Sequence, residues 1–375
     1  MTGPERKPRI LHIHPSFVEK GTNAARMMSA LGTGCDHALA TCGEGRGEVS
    51  LAGGVHAHVR TDFPALAGKP TPGRLVAIAQ AMAPYDLVLT HDWDAMNAVM
   101  AHTVFAQALG LPPLIHHEGF VGREGSGNSS TRRNWFRRVA LGRTHALVVP
   151  SRAMEQVALN VWKLPRSRVR RVPPGIDTSA FAGKPDPKAL RLVKRKGERW
   201  VGTVADLQPG ERLPDIVKAC AKLPDNWHLV ILGEGPERDT IADAADALEV
   251  SDRVHLPGPI ADHARVIGLF DIFACASLSE AVPVTIIEAM AAGLPVVAPR
   301  TGDIEAVVAQ PNRSALTVPG DVASLAEALA VLVRDTEWRR DIGIANRDLA
   351  RAEFDEAHMT AACREIYEGA LANGA

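Results

Sequence analysis

The sequence predicts an α/β fold made of two doubly wound, parallel-sheet (Rossmann-like) domains in series. Short apolar, β-branched runs alternate with helical patterns along most of the chain, as strands buried on both faces and joined by helical crossovers require. The alternation breaks once, at 181–199, where "FAGKPDPKALRLVKRKGER" is dense in Lys, Arg, Pro and Gly and reads as a linker. The length of 375 residues suits about two domains of ~100–200 residues each. The expected boundaries are 1–180 for the first domain and 200–352 for the second.

The first domain offers strands at 9–17 ("RILHIHPSF"), 37–43, 55–60, 86–93, 113–120, 146–151 and 169–175, with helices at 22–31 and 151–162. Ser151 stands where an N-cap hydroxyl accepts the first free N–H groups of its helix. The second domain offers strands at 200–207, 228–235, 253–258, 271–277 and 295–300. A helix of ~10 residues, so ~15 Å, follows the strand at 271–277. Pro283 suits its first turn, where a missing N–H costs nothing, and Gly293 with Pro295 suits its end. The closing segment 353–375 carries Met359, Ala362, Ile366, Ala370 and Leu371 on one stripe. It needs a surface to lie on, and the first domain is the expected one. Doubly wound sheets bind ligands at the carboxyl ends of their strands, so two in tandem predict a ligand cleft between the domains.

Composition narrows the function. Hydrophobic residues make up 46% and charged residues 23%, an ordinary globular profile. The 42 basic residues nearly cancel the 43 acidic ones, for a net charge of −1, so no global field draws in nucleic acid. The five cysteines, Cys35, Cys42, Cys220, Cys275 and Cys363, are scattered without metal-ligand or disulfide spacing. No run is long and apolar enough for a signal peptide or a membrane span, so a cytoplasmic protein is expected. "RRNWFRR" at 132–138 interleaves Arg with Trp and Phe. It reads as a solvated helix with two buried aromatics, or as a weak peripheral contact with an anionic membrane face.

The chemistry concentrates in "SLSEAVPVTIIEAMAAGLPVVAP", 277–299, which sets Glu280 and Glu288 on either side of a helix start. Free N–H groups near Val282, Val284 and Thr285 would make an anion site there. Each carboxylate can accept two hydroxyls. A ligand with hydroxyls on both sides of a phosphate, such as a sugar nucleotide, has the matching shape. The residues alone leave a second reading open, with Glu280 capping the helix and Glu288 solvated.

The stretch "SEAVPVTIIEAMAAGLPVVA" resembles the E-x7-E donor signature of the retaining family 4 glycosyltransferases, which have the GT-B fold. "ILHIHPSFVEKGTNAARMMSAL", "THDW", "LIHHEG", "VVPSRAM", "VPPGIDTSAF", "VILGEGPERDTI" and "RVHLPGPI" follow in that family's order, so the resemblance covers nearly the whole chain. It implies transfer of a sugar, with retention, from a UDP- or GDP-linked donor to a hydroxyl acceptor on a glycan, glycolipid or small molecule. No tightly bound cofactor, metal or nucleic acid is implied. Carried over residue by residue, Glu280 contacts the donor sugar and Glu288 the ribose hydroxyls. The backbone at Val284 and Thr285 meets the diphosphate, and Gly233 of "GEG" joins the donor set. Gly21 matches one glycine of a phosphate-approaching pair whose other member is here Lys20. His117 matches the histidine near the reacting carbon, while His116 alternates to the other face of its strand. Asp92, in Asp92-x-Asp94, resembles the metal-binding acids of another architecture. In a GT-B chain it reads instead as an acceptor-side or structural residue.

The chain also departs from the family. Where relatives carry an Arg and, five residues on, a Lys to neutralise the diphosphate, this sequence has Asp206 and Glu211. Two unit charges ~4 Å apart interact by ~4 kcal/mol at a surface-like dielectric. The reversal therefore opposes the donor unless a cation compensates, and Arg212, one position on, is the expected one. The alternative is a weakened or inactive homologue that binds sugar nucleotides without turning them over. Ala281 also stands where relatives have glycine.

Overall fold

The structure is a computed structural model that describes residues 6–14, 22–41, 47–119, 131–278 and 284–374. The chain divides into two compact units, Met1–Gly175 with Glu356–Ala375, and Ile176–Asp355.

In the first unit the chain runs β1 (Arg9–His14), α1 (Asn23–Met28), β2 (Asp36–Thr41), β3 (Glu48–Ser50), β4 (His56–Val59) and α2 (Pro72–Met82). It continues with β5 (Leu87–His91), α3 (Met96–Leu109), β6 (Leu114–His117), α4 (Thr131–Ala140), β7 (Ala146–Val149), α5 (Arg152–Asn160) and β8 (Val169–Arg171). These strands form one eight-stranded sheet in the order β3-β4-β2-β1-β5-β6-β7-β8. Every pairing is parallel except that of β3 with β4.

The second unit runs β9 (Arg199–Val204), α6 (Leu213–Cys220), β10 (Trp227–Leu232), α7 (Arg238–Ala247), β11 (Val254–His255) and β12 (Ile272–Ala274). Then come α8 (Val284–Ala291), β13 (Val296–Pro299), α9 (Ile304–Val307), β14 (Leu316–Thr317), α10 (Val322–Arg334) and α11 (Thr336–Glu353). Its sheet is six-stranded and parallel, ordered β11-β10-β9-β12-β13-β14. The last helix, α12 (Glu356–Gly374), rejoins the first unit. Among the described residues no helix is long and apolar enough to cross a membrane.

Alternation along the strands sorts the first core into two layers. Leu11, Ile13, Val88, Leu114, Leu147 and Val149 face one way, onto Ile78 and Met82 of α2, Val99 of α3 and Ala158 of α5. Ile10, Leu87, Leu89, Ile115 and Val148 face the other way, onto Met359, Cys363, Tyr367 and Ala370 of α12. The contact line of α12 thus runs through Cys363 and Tyr367, with Ala362, Ile366 and Leu371 at its flanks. Ser151 caps α5, its hydroxyl accepting from the Met154 N–H at 3.1 Å.

The segment 181–199, expected as a linker, is packed into the second unit. Leu190 is buried in the core beside Phe181, Ala189 and Leu192. Lys194 donates to Leu269 O at 2.7 Å and pairs with Asp271 at 2.6 Å. Its basic composition marks a solvated outer face, while every few residues an apolar one turns inward. The chain crosses between the units at 175–176 and 355–356 instead.

Two features fix α8 in the second unit. Gly343 of α11 lies so close to the end of α8 that a Cβ there would stand 2.1 Å from Gly293 O. Beside it, two fully buried amides close a network. Asn312 exchanges hydrogen bonds with the Val296 backbone at 2.8 and 2.7 Å, and Asn346 donates to Leu294 O and Asn312 Oδ1 at 2.8 and 2.7 Å. Leaving such buried partners unsatisfied costs ~1–3 kcal/mol each. We expect Asn346→Leu to destabilise the protein by about 3 kcal/mol, read as a lowered denaturant midpoint. An unchanged midpoint would mean the network carries no net stability.

Candidate functional site

In the second unit, the loops beyond β9 and β10 are stitched together by backbone bonds. Leu207 N–H donates to Glu234 O, and Glu237 N–H donates to Leu207 O, both at 2.9 Å. A Cβ at Gly233 would meet Ala205 O at 1.9 Å, and one at Gly235 would meet Leu207 O at 2.5 Å. Here only glycine allows the contact. Gly233, expected among the donor-binding residues, therefore also has a packing role that its motif does not announce. Asp206 is exposed on this platform and Glu211 half-buried.

Arg212 takes a left-handed conformation (φ 52) at the start of α6. Its Nη2 is 2.5 Å from Asp215 Oδ2, and its Nε is buried without a hydrogen-bond partner. The guanidinium is thus tied to its own helix, near Cys275, Thr317 and Gly320 at the ends of β12 and β14.

On α8, Val284 packs against the core through its side chain, and Thr285 is half-buried. Glu288 Oε2 lies 3.0 Å from His263 Nδ1, with side chains only 17% and 29% exposed. That bond to the carboxylate raises the His263 imidazole's proton affinity above its usual range. Nothing in "PIADHAR" signals this partner, because His263 sits on a short 3-10 turn outside any periodic pattern. Glu280 lies outside the described residues, as do Lys20 and Gly21.

In the first unit, imidazoles gather along the sheet: His14, His91 and His117 end β1, β5 and β6, while His12 lies inside β1 and His37 near the start of β2. His12 and His37 are bonded at 2.9 Å, His91 stacks on His117 with centroids 4.8 Å apart, and His14 lies 5.5 Å from His91. Tyr367 of α12 bonds His117 Nε2 at 2.8 Å. Burial pushes His117 down to about 3 and drives His12 and His91 well below their usual range, with the neighbouring imidazoles adding to the effect.

His116 points to the other face. There it bonds Thr90 at 2.8 Å and approaches Glu118 at 3.4 Å. Arg137 grips Glu118 through two bonds, 3.1 and 2.6 Å, and lies over Trp93 and Trp162.

Asp92 follows β5 with φ 61 and ψ 179. That region belongs almost wholly to glycine and costs ~1–3 kcal/mol for other residues. Burial raises its carboxyl's proton affinity, and the Gly119 N–H bond opposes that. Asp94, Trp93, Asn97, Arg132, Arg133 and Phe136 line a neighbouring cavity of about 460 Å³.

Two family models match the chain: "Glycosyltransferase Family 4" over residues 23–180 and "Glycosyl transferases group 1" over residues 189–349. The chain is 27% identical over 178 residues to N-acetyl-alpha-D-glucosaminyl L-malate synthase of Bacillus anthracis, a match covering 47% of each. It is 31% identical over 226 residues to a GDP-mannose-dependent phosphatidylinositol monomannoside mannosyltransferase of Mycobacterium tuberculosis, covering 55% of this chain and 57% of that one. The chain thus spans about half the length of these two relatives. Among solved structures, it resembles Anabaena HepE, crystallised with UDP, at a TM-score of 0.76 and 20% identity, covering 94% of this chain and 97% of that one. A sucrose-phosphate synthase from Thermosynechococcus elongatus gives the same TM-score of 0.76 at 19% identity, covering 98% and 100%.

The imidazole layer sets an acid limit. His12, His91 and His117 stay neutral when folded, whereas the unfolded chain protonates them near the usual 6.5. Their stabilisation is complete above that value and drains away as pH falls below it, by about 1.4 kcal/mol per pH unit for each imidazole. We expect the thermal midpoint to drop between pH 7 and 5, and to drop less in His91→Asn. A midpoint that does not move over that interval would contradict this.

Proposed function

Because the chain belongs to glycosyltransferase family 4 and has the GT-B fold, we propose that it transfers a sugar, with retention, from a nucleotide-sugar donor to a hydroxyl acceptor. The observation that carries the reading is Glu288. Its carboxylate is partly buried on a helix that follows the carboxyl end of β12, and it is bound to one imidazole. An ionised carboxylate has four acceptor positions, so His263 leaves room for both ribose hydroxyls. The Val284 and Thr285 amides and the Gly233 backbone would meet the diphosphate, with Lys20 and Gly21 approaching the phosphates. Glu280 would hold the sugar. His117 would meet the transferred sugar or acceptor near the reacting carbon, and Asp92 would stand on the acceptor side.

As the bond from the sugar's anomeric carbon to the diphosphate breaks, the acceptor oxygen bonds to that carbon on the same face, and its proton passes to the leaving phosphate. Amides at the start of a helix stabilise that departing charge. UDP- and GDP-linked donors both fit these contacts. HepE was crystallised with UDP, and the mycobacterial relative is named for GDP-mannose.

A second reading, binding without turnover, is favoured by the charge reversal at Asp206 and Glu211 and by the tether of Arg212 to Asp215. Calorimetry with UDP- and GDP-sugars, followed by product analysis, separates the two. Transfer with the anomeric configuration kept supports the first, and tight binding with no product on any acceptor supports the second. If Arg212 compensates, Arg212→Ala loses donor binding while Glu211→Lys keeps or improves it. Normal donor binding by Arg212→Ala rules compensation out.

A weak peripheral membrane contact through 132–138 is also part of this proposal. On α4, Trp135 is 62% exposed, with Arg132 and Arg138 exposed on the same face. Vesicles rich in anionic lipid should retain the protein in sedimentation, and Trp135→Ala with Arg138→Ala should weaken that retention several-fold. Equal retention by the double variant would remove the contact.

A further inference from the structure

His117 has one ring nitrogen bonded and one free among the described residues. Nε2 meets the Tyr367 phenol at 2.8 Å, while Nδ1 is buried with no partner. The two rings stand at 76° with centroids 5.6 Å apart, so the phenol meets the imidazole edge-on. His91 covers a ring face, stacked within 17° of parallel. One helical turn before Tyr367 on α12, Cys363 is buried in the same cluster as the phenol.

The direction of this bond decides where the proton sits on His117. A phenol is a far stronger acid than a neutral imidazole N–H, and the bare imidazole nitrogen is the best acceptor present. The Tyr367 O–H therefore donates to Nε2. An imidazole that accepts at Nε2 carries its own proton at Nδ1. We propose that Tyr367 is a positioning residue that holds His117 as the Nδ1–H tautomer, presenting that N–H as a fixed neutral donor to a hydroxyl or ring oxygen of the ligand.

Burial agrees with this assignment. It pushes the Cys363 thiol up to about 11 and the Tyr367 phenol well above its usual range, so both keep their protons, while His117 stays neutral. The orphaned Nδ1–H is what a buried donor awaiting a ligand oxygen looks like, since an unmet donor is costly. The inference rests on the reading of His117 as a residue of the sugar site.

Nitrogen-15 spectra of histidine-labelled full chain test it, with the His117 signals assigned by their loss in His117→Asn. The wild type should show a protonated Nδ1 and a bare Nε2. Tyr367→Phe, which keeps the ring, should give a mixture of tautomers and lower kcat about tenfold or more, as misplaced imidazole protons do elsewhere, with the donor KM within about twofold. A wild-type His117 protonated at Nε2, or a tautomer unchanged in Tyr367→Phe, overturns the proposal. The wild-type spectrum decides it even if the variant does not fold. Full turnover by His117→Asn would instead overturn the sugar-site reading beneath it, whatever the tautomer.

Discussion

No Cβ fits between the loop that follows β9 and the loop that follows β10. Gly233 and Gly235 let the two backbones touch, and the Leu207 peptide then bonds to that loop on both sides. This contact sets the height of residues 205–207 above the sheet, and so the place of Asp206 between them. Asp206 has little freedom to retreat by moving the backbone, because the peptides on either side of it are clamped. Relief of its repulsion toward an anion has to come from side chains, and Arg212, the next residue after Glu211, is held by Asp215.

The first unit solves a different problem. Its sheet buries several imidazoles, and burial keeps them neutral. One sheet layer away, on the opposite face, Glu118 is ionised and fully matched by Arg137, which also lies over two indole rings. His117, the last residue of β6, and Glu118 just after it thus present a neutral, hydrogen-bonding surface on one side and a neutralised ion pair on the other. Alternation along a single strand is enough to separate them.

Much of this is legible in the chain, for reasons that differ by residue. Buried strands announce themselves because both faces must be apolar: β5, β6 and β7 fall within the expected runs, and β9 and β10 start one residue before theirs. Short β3 has only three residues and no such run. Glu288 is marked by its spacing within a helix, but its partner His263 lies 25 residues away on a 3-10 turn that has no pattern to read. Tyr367 is missed because the stripe through Ala362 and Ile366 runs one residue to the side of the true contact line. The basic texture of 181–199 hides Leu190, since composition averages over the single residues that face inward. The tie between Arg212 and Asp215 is a choice of rotamer and of φ, which residue types do not dictate.

Backbone-to-backbone packing of Gly343 against Gly293 joins α11 to the helix that bears Glu288. Any larger residue at 343 would have to lift the far end of α8 by ångströms, and a rigid helix passes such a lift to its other turns as a tilt. A silent-looking spot on the outer layer therefore acts as a fulcrum for the Glu288 carboxylate, and drift there would move that group without touching it.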